Sequence, residues 1–185
     1  DAGKTVEIGP PPDAPPGDLV ERTKTFKGVE SELPAAARTD RLRFDFDQVL
    51  PGFEWHGVER DSHHGVFQWS GPSTRSSLHL PLVNDRDLTI TFGVINALAP
   101  DVLESLGLEV NGEPVALSRR SMETHGYRFA GRLPAAALAR SLGAPRLTFV
   151  VSRTIEPTSL DPASGDRRRL GLAFHDLEVK PAAGP

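Results

Sequence analysis

The stretch LTITFGVINALAPDVLESLGLEVNGEPVAL, residues 88–117, decides the fold class of this chain. Apolar runs stand on both sides of Asn111-Gly112, and this dipeptide accepts the positive φ values that a two-residue type I′ hairpin turn requires. An earlier strand-like run ends at a turn opened by Pro100. Short strands joined by tight turns pair in antiparallel fashion, so this region predicts a β-sheet protein.

The same pattern continues along most of the chain. Alternation of apolar and polar residues from Arg41 predicts the first strand, and a change of phase near His175–Leu177 predicts a bulge. The segment LPAAALARSLG, residues 133–143, predicts one helix of about two to three turns, with Pro134 in its first turn and Gly143 as its C-terminal cap. The fold class that follows is all-β, an antiparallel, jelly-roll-like β-sandwich with one short helix. The further strands are predicted at residues 64–70, 76–82, 87–95, 106–111, 114–118, 126–132, 146–153 and 170–179.

The N-terminal part of the chain differs in composition from the rest. Its GPPPDAPPGD tract has too many prolines for a strand ladder and too few apolar groups for a core, so a spacer is favoured over a docking ligand for a proline-binding module. Val20–Val29 could add one edge strand. We predict a proline-rich linker or N-terminal extension over residues 1–36, a β-sandwich domain over residues 37–181, and a tail over residues 182–185.

Composition excludes several classes of function. The chain has 21 basic and 25 acidic residues and a net charge of −4, so we expect no nucleic-acid partner. It has no cysteine, which excludes a disulfide framework, a cysteine-ligated zinc and a thiol nucleophile. No apolar run approaches the ~18 residues of a membrane span, so direct membrane insertion is not expected. Because the chain begins with Asp1 and lacks a signal peptide, we expect a processed or excised piece of a longer protein.

The densest group of polar and aromatic residues is GFEWHGVERDSHHGVFQWSGPSTR, residues 52–75, which contains both tryptophans. Sugar rings stack their C–H faces on tryptophan, and their hydroxyls need charged and polar partners, so this composition suits carbohydrate binding. The alternative is that both tryptophans are core aromatics of adjacent strands. The candidate ligand-binding residues are Trp55, His56, Glu59, Arg60, Trp69, Arg75 and, from the last loop, Arg168.

Other chemistry is less well supported by the pattern. Adjacent His63 and His64 near Asp61 would point to opposite faces of a strand, so they fit a shared metal poorly, and solvated loop histidines are favoured. The D-x-D of Asp45 and Asp47 reads as solvent-facing strand residues rather than a nucleotide-sugar site. Nucleophile-elbow, Walker and dinucleotide motifs are absent from the sequence. We therefore predict no catalytic residues, no metal site and no cofactor.

The last loop carries a basic triplet, Arg167 to Arg169, that could form an anion site. The favoured prediction is structural: Arg168 is a buried guanidinium paired with a carboxylate, either Glu59 or Glu54. Arg167 then lies on the opposite face and contributes little.

A series of short motifs resembles a known family. These are GFEWHxVE, FQWSGPST, SLHLPL, LxVNGxPV, GRLPAAAL and DRRRLGLAFHDLEV. Together they resemble the extracytoplasmic, carbohydrate-binding-module-like β-sandwich domains appended to bacterial membrane glycosyltransferases and envelope-polysaccharide proteins. The resemblance covers about Arg41 to Lys180 and favours an extracytoplasmic compartment. In such domains the segments that carry Trp55, Glu59, Trp69 and Arg168 lie close together, which implies a shared site.

The leading functional hypothesis is a non-catalytic glycan-binding or glycan-guiding accessory module of a bacterial polysaccharide system. Its partner is then a carbohydrate. The first alternative is a structural β-sandwich that docks against a partner protein subunit. The second is an enzyme that acts on polysaccharide, which would need two carboxylates about 5–5.5 Å apart if it retained configuration. Glu54 and Glu59 are the acids nearest the aromatics, and on one strand they would face opposite sides.

Overall fold

The computed structural model describes residues 38–122 and 126–183. The linker expected over residues 1–36, with its edge strand at Val20–Val29, lies outside them. The strands within the described residues are β1 (Leu42–Phe44), β2 (Gly52–Phe53), β3 (Trp55–Asp61), β4 (Gly65–Ser70), β5 (Arg75–His79), β6 (Leu88–Ala97), β7 (Gly107–Val110), β8 (Glu113–Val115), β9 (Leu117–Ser121), β10 (Tyr127–Leu133), β11 (Arg146–Val150) and β12 (Leu172–Pro181). The helices are α1 (Pro100–Glu104), α2 (Ala135–Leu138) and α3 (Pro157–Leu160).

The strands form two sheets. The seven-stranded sheet has the order β3-β4-β12-β6-β10-β9, with β1 also paired to β12, and the five-stranded sheet has the order β2-β5-β11-β7-β8. All these pairings are antiparallel, so the predicted all-β antiparallel sandwich is confirmed. Strands β4, β5, β6 and β7 alternate between the two sheets, as a jelly-roll-like connectivity requires. Membership of that fold family stays a prediction.

The core between the sheets is rich in phenylalanine. Phe92 on β6, Phe149 on β11 and Phe174 on β12 are buried, and the ring centroids of Phe149 and Phe174 lie 4.9 Å apart. Phe46, which follows β1, is also fully buried and stacks on Phe174 at 5.8 Å. Edge-to-face and offset ring pairs stabilise a core beyond their buried area, so these rings fix how the two sheets face each other.

The turn at Asn111-Gly112 has the predicted conformation. The φ angles are 49° at Asn111 and 86° at Gly112, both in the left-handed region. The Asn111 side chain also donates to the Ala137 carbonyl at 2.9 Å and accepts from the Arg146 N–H at 2.9 Å. This asparagine therefore makes the hairpin turn and ties it to α2 and β11.

The prediction of one helix over residues 133–143 is wrong in length and in number. The helix is a single turn, Ala135–Leu138, and two other short helices occur among the described residues. The segment after α2 offers no apolar face to bury, since Leu142 is 84% exposed. The turn at Pro100 is itself the start of α1. No helix in the described part of the chain is long and apolar enough to cross a bilayer.

The predicted strand over residues 114–118 is also wrong, because two strands occupy it. The chain leaves the five-stranded sheet after Val115 and joins the seven-stranded sheet at Leu117. The pattern did not predict β2 or β3 as separate strands. The bulge near His175 is confirmed, since the β12–β6 register shifts between Phe174 and Asp176.

Candidate functional site

The chain crosses between the two sheets at Glu54. Residues before it belong to β2 at the edge of the five-stranded sheet, and residues after it belong to β3 at the edge of the seven-stranded sheet. Glu54 has a φ of 65°, a left-handed conformation that non-glycine residues adopt infrequently. Its carbonyl accepts from the Gly71 N–H at 2.9 Å, and its Oε2 accepts from the Ser73 N–H at 2.9 Å. These bonds to the β4–β5 turn hold the crossing in place.

A groove of about 350 Å³ opens beside this crossing. We call it the Trp55 groove; Val49, Phe53, Trp55, His56 and Val58 line it, together with Glu54 and Gln68. Three of its apolar side chains face solvent: Val49 is 93% exposed, Phe53 68% and Val58 42%. Isolated exposed apolar residues are ordinary on protein surfaces, but several converging on one concavity typify a binding site.

Trp55 is half-buried and lines the groove. Its ring packs against the core, with centroids 5.5 Å from Phe46 and 5.3 Å from Phe174. Its indole Nε1–H donates to the Ser77 carbonyl at 2.9 Å. Trp55 is therefore a rigid surface that belongs both to the core and to the groove.

The polar side chains of the groove are fixed by backbone carbonyls. His56 Nε2 lies 2.9 Å from the Arg169 carbonyl oxygen. The Gln68 amide is buried and donates to the carbonyls of Phe46 at 3.1 Å and Gln48 at 2.7 Å. These side chains are ordered before any ligand arrives, which lowers the entropic cost of binding.

Trp69, the second tryptophan, has a different environment. It is 5% exposed and lies in a small apolar cluster separate from the main core. We call this the Trp69 cluster; its buried members are Phe67, Trp69, Ile95, Leu170 and Ala173. A ring this buried offers no free face for a sugar.

Arg168 forms ion pairs with two carboxylates, Glu59 and Asp166. Arg168 Nη1 lies 2.5 Å from Glu59 Oε1, and Arg168 Nη2 lies 2.8 Å from Asp166 Oδ2. Hydrogen bonds from the Arg168 side chain, and then from its backbone N–H, lower the pKa of Asp166 to about 2. Carboxylate pairing of Arg168 is confirmed for Glu59, one of the two predicted partners, and Asp166 is a further partner. The predicted burial of Arg168 is wrong. The side chain is 41% exposed because the loop that carries it faces solvent.

The seven candidate residues do not form one site. Arg75 pairs with Glu109 of β7 at 2.5 Å, within the five-stranded sheet, whereas Glu59 lies on the seven-stranded sheet. Arg60 is exposed on β3, one residue beyond Glu59. Of the seven, Trp55 and His56 line the groove. The candidates therefore divide into a groove pair, an ion pair, a buried ring and two separate surface arginines.

The sequence reasoning missed the apolar rim. Val49, Phe53 and Val58 lie in or beside the aromatic-rich segment, but none of them belongs to a regular alternation. The run VLPGF, residues 49–53, could have indicated this apolar rim. It combines bulky apolar side chains with a Pro-Gly turn, and it is too short to form a buried strand.

Asp61 organises the β3–β4 turn. Its Oδ1 accepts from the N–H groups of His63 at 2.8 Å and His64 at 2.5 Å, and its Oδ2 lies 2.8 Å from His64 Nδ1. The side-chain bond with His64, followed by the backbone bonds, lowers the pKa of Asp61 to about 2. Asp45 in turn accepts from Arg43 Nε at 2.9 Å. Among the residues that the structure describes, no group of three or more metal-ligating side chains is arranged to hold an ion.

Comparisons with known proteins give little. No protein-family model matches the chain, and no curated protein matches it in sequence. Among solved structures it is similar to the GH26-CBM35 β-(1,4)-mannanase of Podospora anserina, with a TM-score of 0.43 and 7% sequence identity. The match covers 80% of this chain and 29% of that chain, so this chain spans less than a third of that protein.

Proposed function

We propose that the domain binds glycans without turning them over and that the Trp55 groove is the contact surface. One observation carries this proposal: the exposed side chains of Val49, Phe53 and Val58 line the same groove as Trp55. A sugar ring needs an apolar surface for its C–H face and polar atoms beside it for its hydroxyls. The groove has both.

The carboxylates support a binding role rather than hydrolysis. Glu54 is the one carboxylate among the described residues that line the groove. Glu59 is engaged by Arg168. Glycoside hydrolysis ordinarily needs two carboxyl groups flanking one bond, so the groove suits retention of a glycan. From the sequence resemblance alone, we propose that the module serves a bacterial envelope-polysaccharide system.

The expected affinity is weak. A shallow stacking site gives about −4 to −8 kcal/mol, which corresponds to dissociation constants from roughly millimolar to micromolar. Calorimetric titration with neutral tetrasaccharides tests the proposal, with Phe53→Ala as the variant and Leu142→Ala as its control. Leu142 is also a large exposed apolar residue, 84% exposed, but does not line the groove.

The Phe53→Ala change should weaken binding by about twofold to twelvefold, because a lost aromatic contact is worth about 0.5–1.5 kcal/mol. The Leu142→Ala change should leave binding unaltered. Equal losses in both variants, or no binding by the unaltered protein, would contradict the proposal.

A second candidate function, docking to a protein subunit, has its own support. Strand β3 is an edge strand of the seven-stranded sheet, and its residue Val58 is 42% exposed. An edge strand beside apolar side chains can accept an added strand from a partner. Docking replaces the glycan proposal if no glycan binds.

A further inference from the structure

The side-chain hydrogen-bond donors of the Trp55 groove are already used. Trp55 Nε1–H donates to the Ser77 carbonyl, and the Gln68 amide donates to the carbonyls of Phe46 and Gln48. The Arg169 carbonyl can only accept, so the proton it shares with His56 sits on Nε2. Among the described residues, the polar side chains that line the groove therefore keep no free donor when His56 is neutral.

The atoms that remain are acceptors. A neutral His56 leaves Nδ1 with a lone pair. Glu54 accepts one backbone N–H through Oε2, which leaves Oε1. Within the described residues Glu54 forms no ion pair, in contrast to Glu59 and Glu109. The hydrogen bond that its carboxylate accepts comes from a neutral group, the backbone N–H of Ser73.

We infer that the groove selects neutral or amine-bearing glycans and rejects acidic ones. This inference rests on the proposed function and names its ligand class. Sugar hydroxyls and ammonium groups donate hydrogen bonds, which His56 Nδ1 and Glu54 Oε1 can receive. A uronate carboxylate or a sulfate group adds acceptor atoms and a negative charge of the same sign as that of Glu54. Removing such a group from water would therefore cost free energy that the groove does not return.

The test compares matched tetrasaccharides in calorimetric titrations at neutral pH. The neutral members are β-1,4-linked oligomers of glucose and mannose, their counterparts are the C6-oxidised uronates, and chitosan tetraose supplies ammonium groups. Neutral members should bind at least about fivefold more tightly than their uronates, as repulsion by one partly screened charge gives a factor of this order. Chitosan tetraose should bind at least as tightly as the glucose oligomer.

Glu54→Gln identifies the source of the discrimination. The amide oxygen can still accept from the Ser73 N–H, while the charge disappears and a donor is gained. The variant should lose most of the preference for neutral members over uronates, because the like charge that opposes the uronate is removed. Glu104→Gln, which removes an exposed acid on α1 away from the groove, should leave the preference unchanged.

The outcomes separate this inference from the proposed function. Equal binding of neutral and uronate members overturns the inference and leaves glycan binding intact. Tighter uronate binding that Arg60→Gln removes would assign the recognition to Arg60, and would also overturn it. A preference that survives Glu54→Gln contradicts the assigned cause. If no tetrasaccharide binds at millimolar concentration, the proposed function itself fails.

Discussion

The Trp55 groove and the Trp69 cluster contain the same kinds of side chain, but these side chains differ in exposure and in ion pairing. Each has a tryptophan, a second aromatic residue and a nearby glutamate. In the cluster, Trp69 is 5% exposed and Glu59 is ion-paired to Arg168. In the groove, Trp55 is half-buried, Phe53 is 68% exposed and Glu54 has no cationic partner among the described residues.

The difference teaches that composition alone does not identify a ligand site. Aromatic and charged residues near one another can satisfy each other, as Glu59, Asp166 and Arg168 do. A site needs unsatisfied capacity: free acceptor atoms and apolar surface still in contact with water. By that criterion the groove is the proposed binding surface, whereas the buried Trp69 cluster is a structural element.

The largest expected effect comes from Trp69→Ala. This change removes a large buried ring from the Trp69 cluster, and such truncations cost about 3–5 kcal/mol. We expect the free energy of unfolding, measured by urea denaturation, to fall by about 3 kcal/mol. Glycan affinity of the folded fraction should not change. A small loss of stability together with a loss of binding would reverse the roles of the two tryptophans.

Gly71→Ala should perturb both regions. Gly71 has a φ of 132°, and a Cβ there would lie 2.2 Å from the Arg169 carbonyl oxygen and 2.9 Å from His56 Nε2. The added methyl would break the bond between His56 and Arg169, and the strained backbone adds to the cost. We expect about 2 kcal/mol lower stability and weaker glycan binding. Gly143→Ala is the control, because a Cβ there meets nothing within 4 Å and the residue does not line the groove.

Arg168→Ala should have a smaller effect on stability, about 1 kcal/mol, since its ion pairs are partly solvated. Arg167→Ala should leave the stability unchanged.

The stability effect of Arg168→Ala should depend on pH. Arg168 holds the pKa of Asp166 at about 2, whereas the ordinary value is 3.8. A lowered carboxyl pKa stabilises the fold above the unfolded pKa, and the stabilisation is lost as pH falls toward 2. The Tm difference between wild type and Arg168→Ala should therefore narrow between pH 4 and pH 2. A constant difference over that range would show that the ion pair is not its source.

Phe53→Ala should have the smallest effect on stability. An exposed side chain outside the core contributes within about 0.5 kcal/mol. Thermal unfolding should be unchanged while glycan affinity falls. A drop in Tm of several degrees would mean that Phe53 is a packing residue and that the groove is not an open surface.

The fold was more accessible to sequence reasoning than the site. Asn111-Gly112 fixes its turn through local φ preferences, so a local pattern predicts it. The break between β8 and β9 at Ala116 depends on which sheet each half joins, and the alternation carries no such information. The groove is even harder to predict from the sequence. Glu54 and Phe53 acquire their roles from the crossing between sheets, and the commitment of the groove's donors is set by carbonyls distant in sequence, such as that of Arg169.

The two indole N–H signals in a nitrogen-15 NMR spectrum test the central claim most directly, because one belongs to each region. The protein is titrated with a neutral tetrasaccharide to millimolar concentration, in wild type and in the Phe53→Ala variant. The account predicts that the Trp55 signal shifts in a saturable way, that the Trp69 signal stays in place, and that Phe53→Ala weakens the shift. A shift of the Trp69 signal alone, or of neither signal, would contradict it.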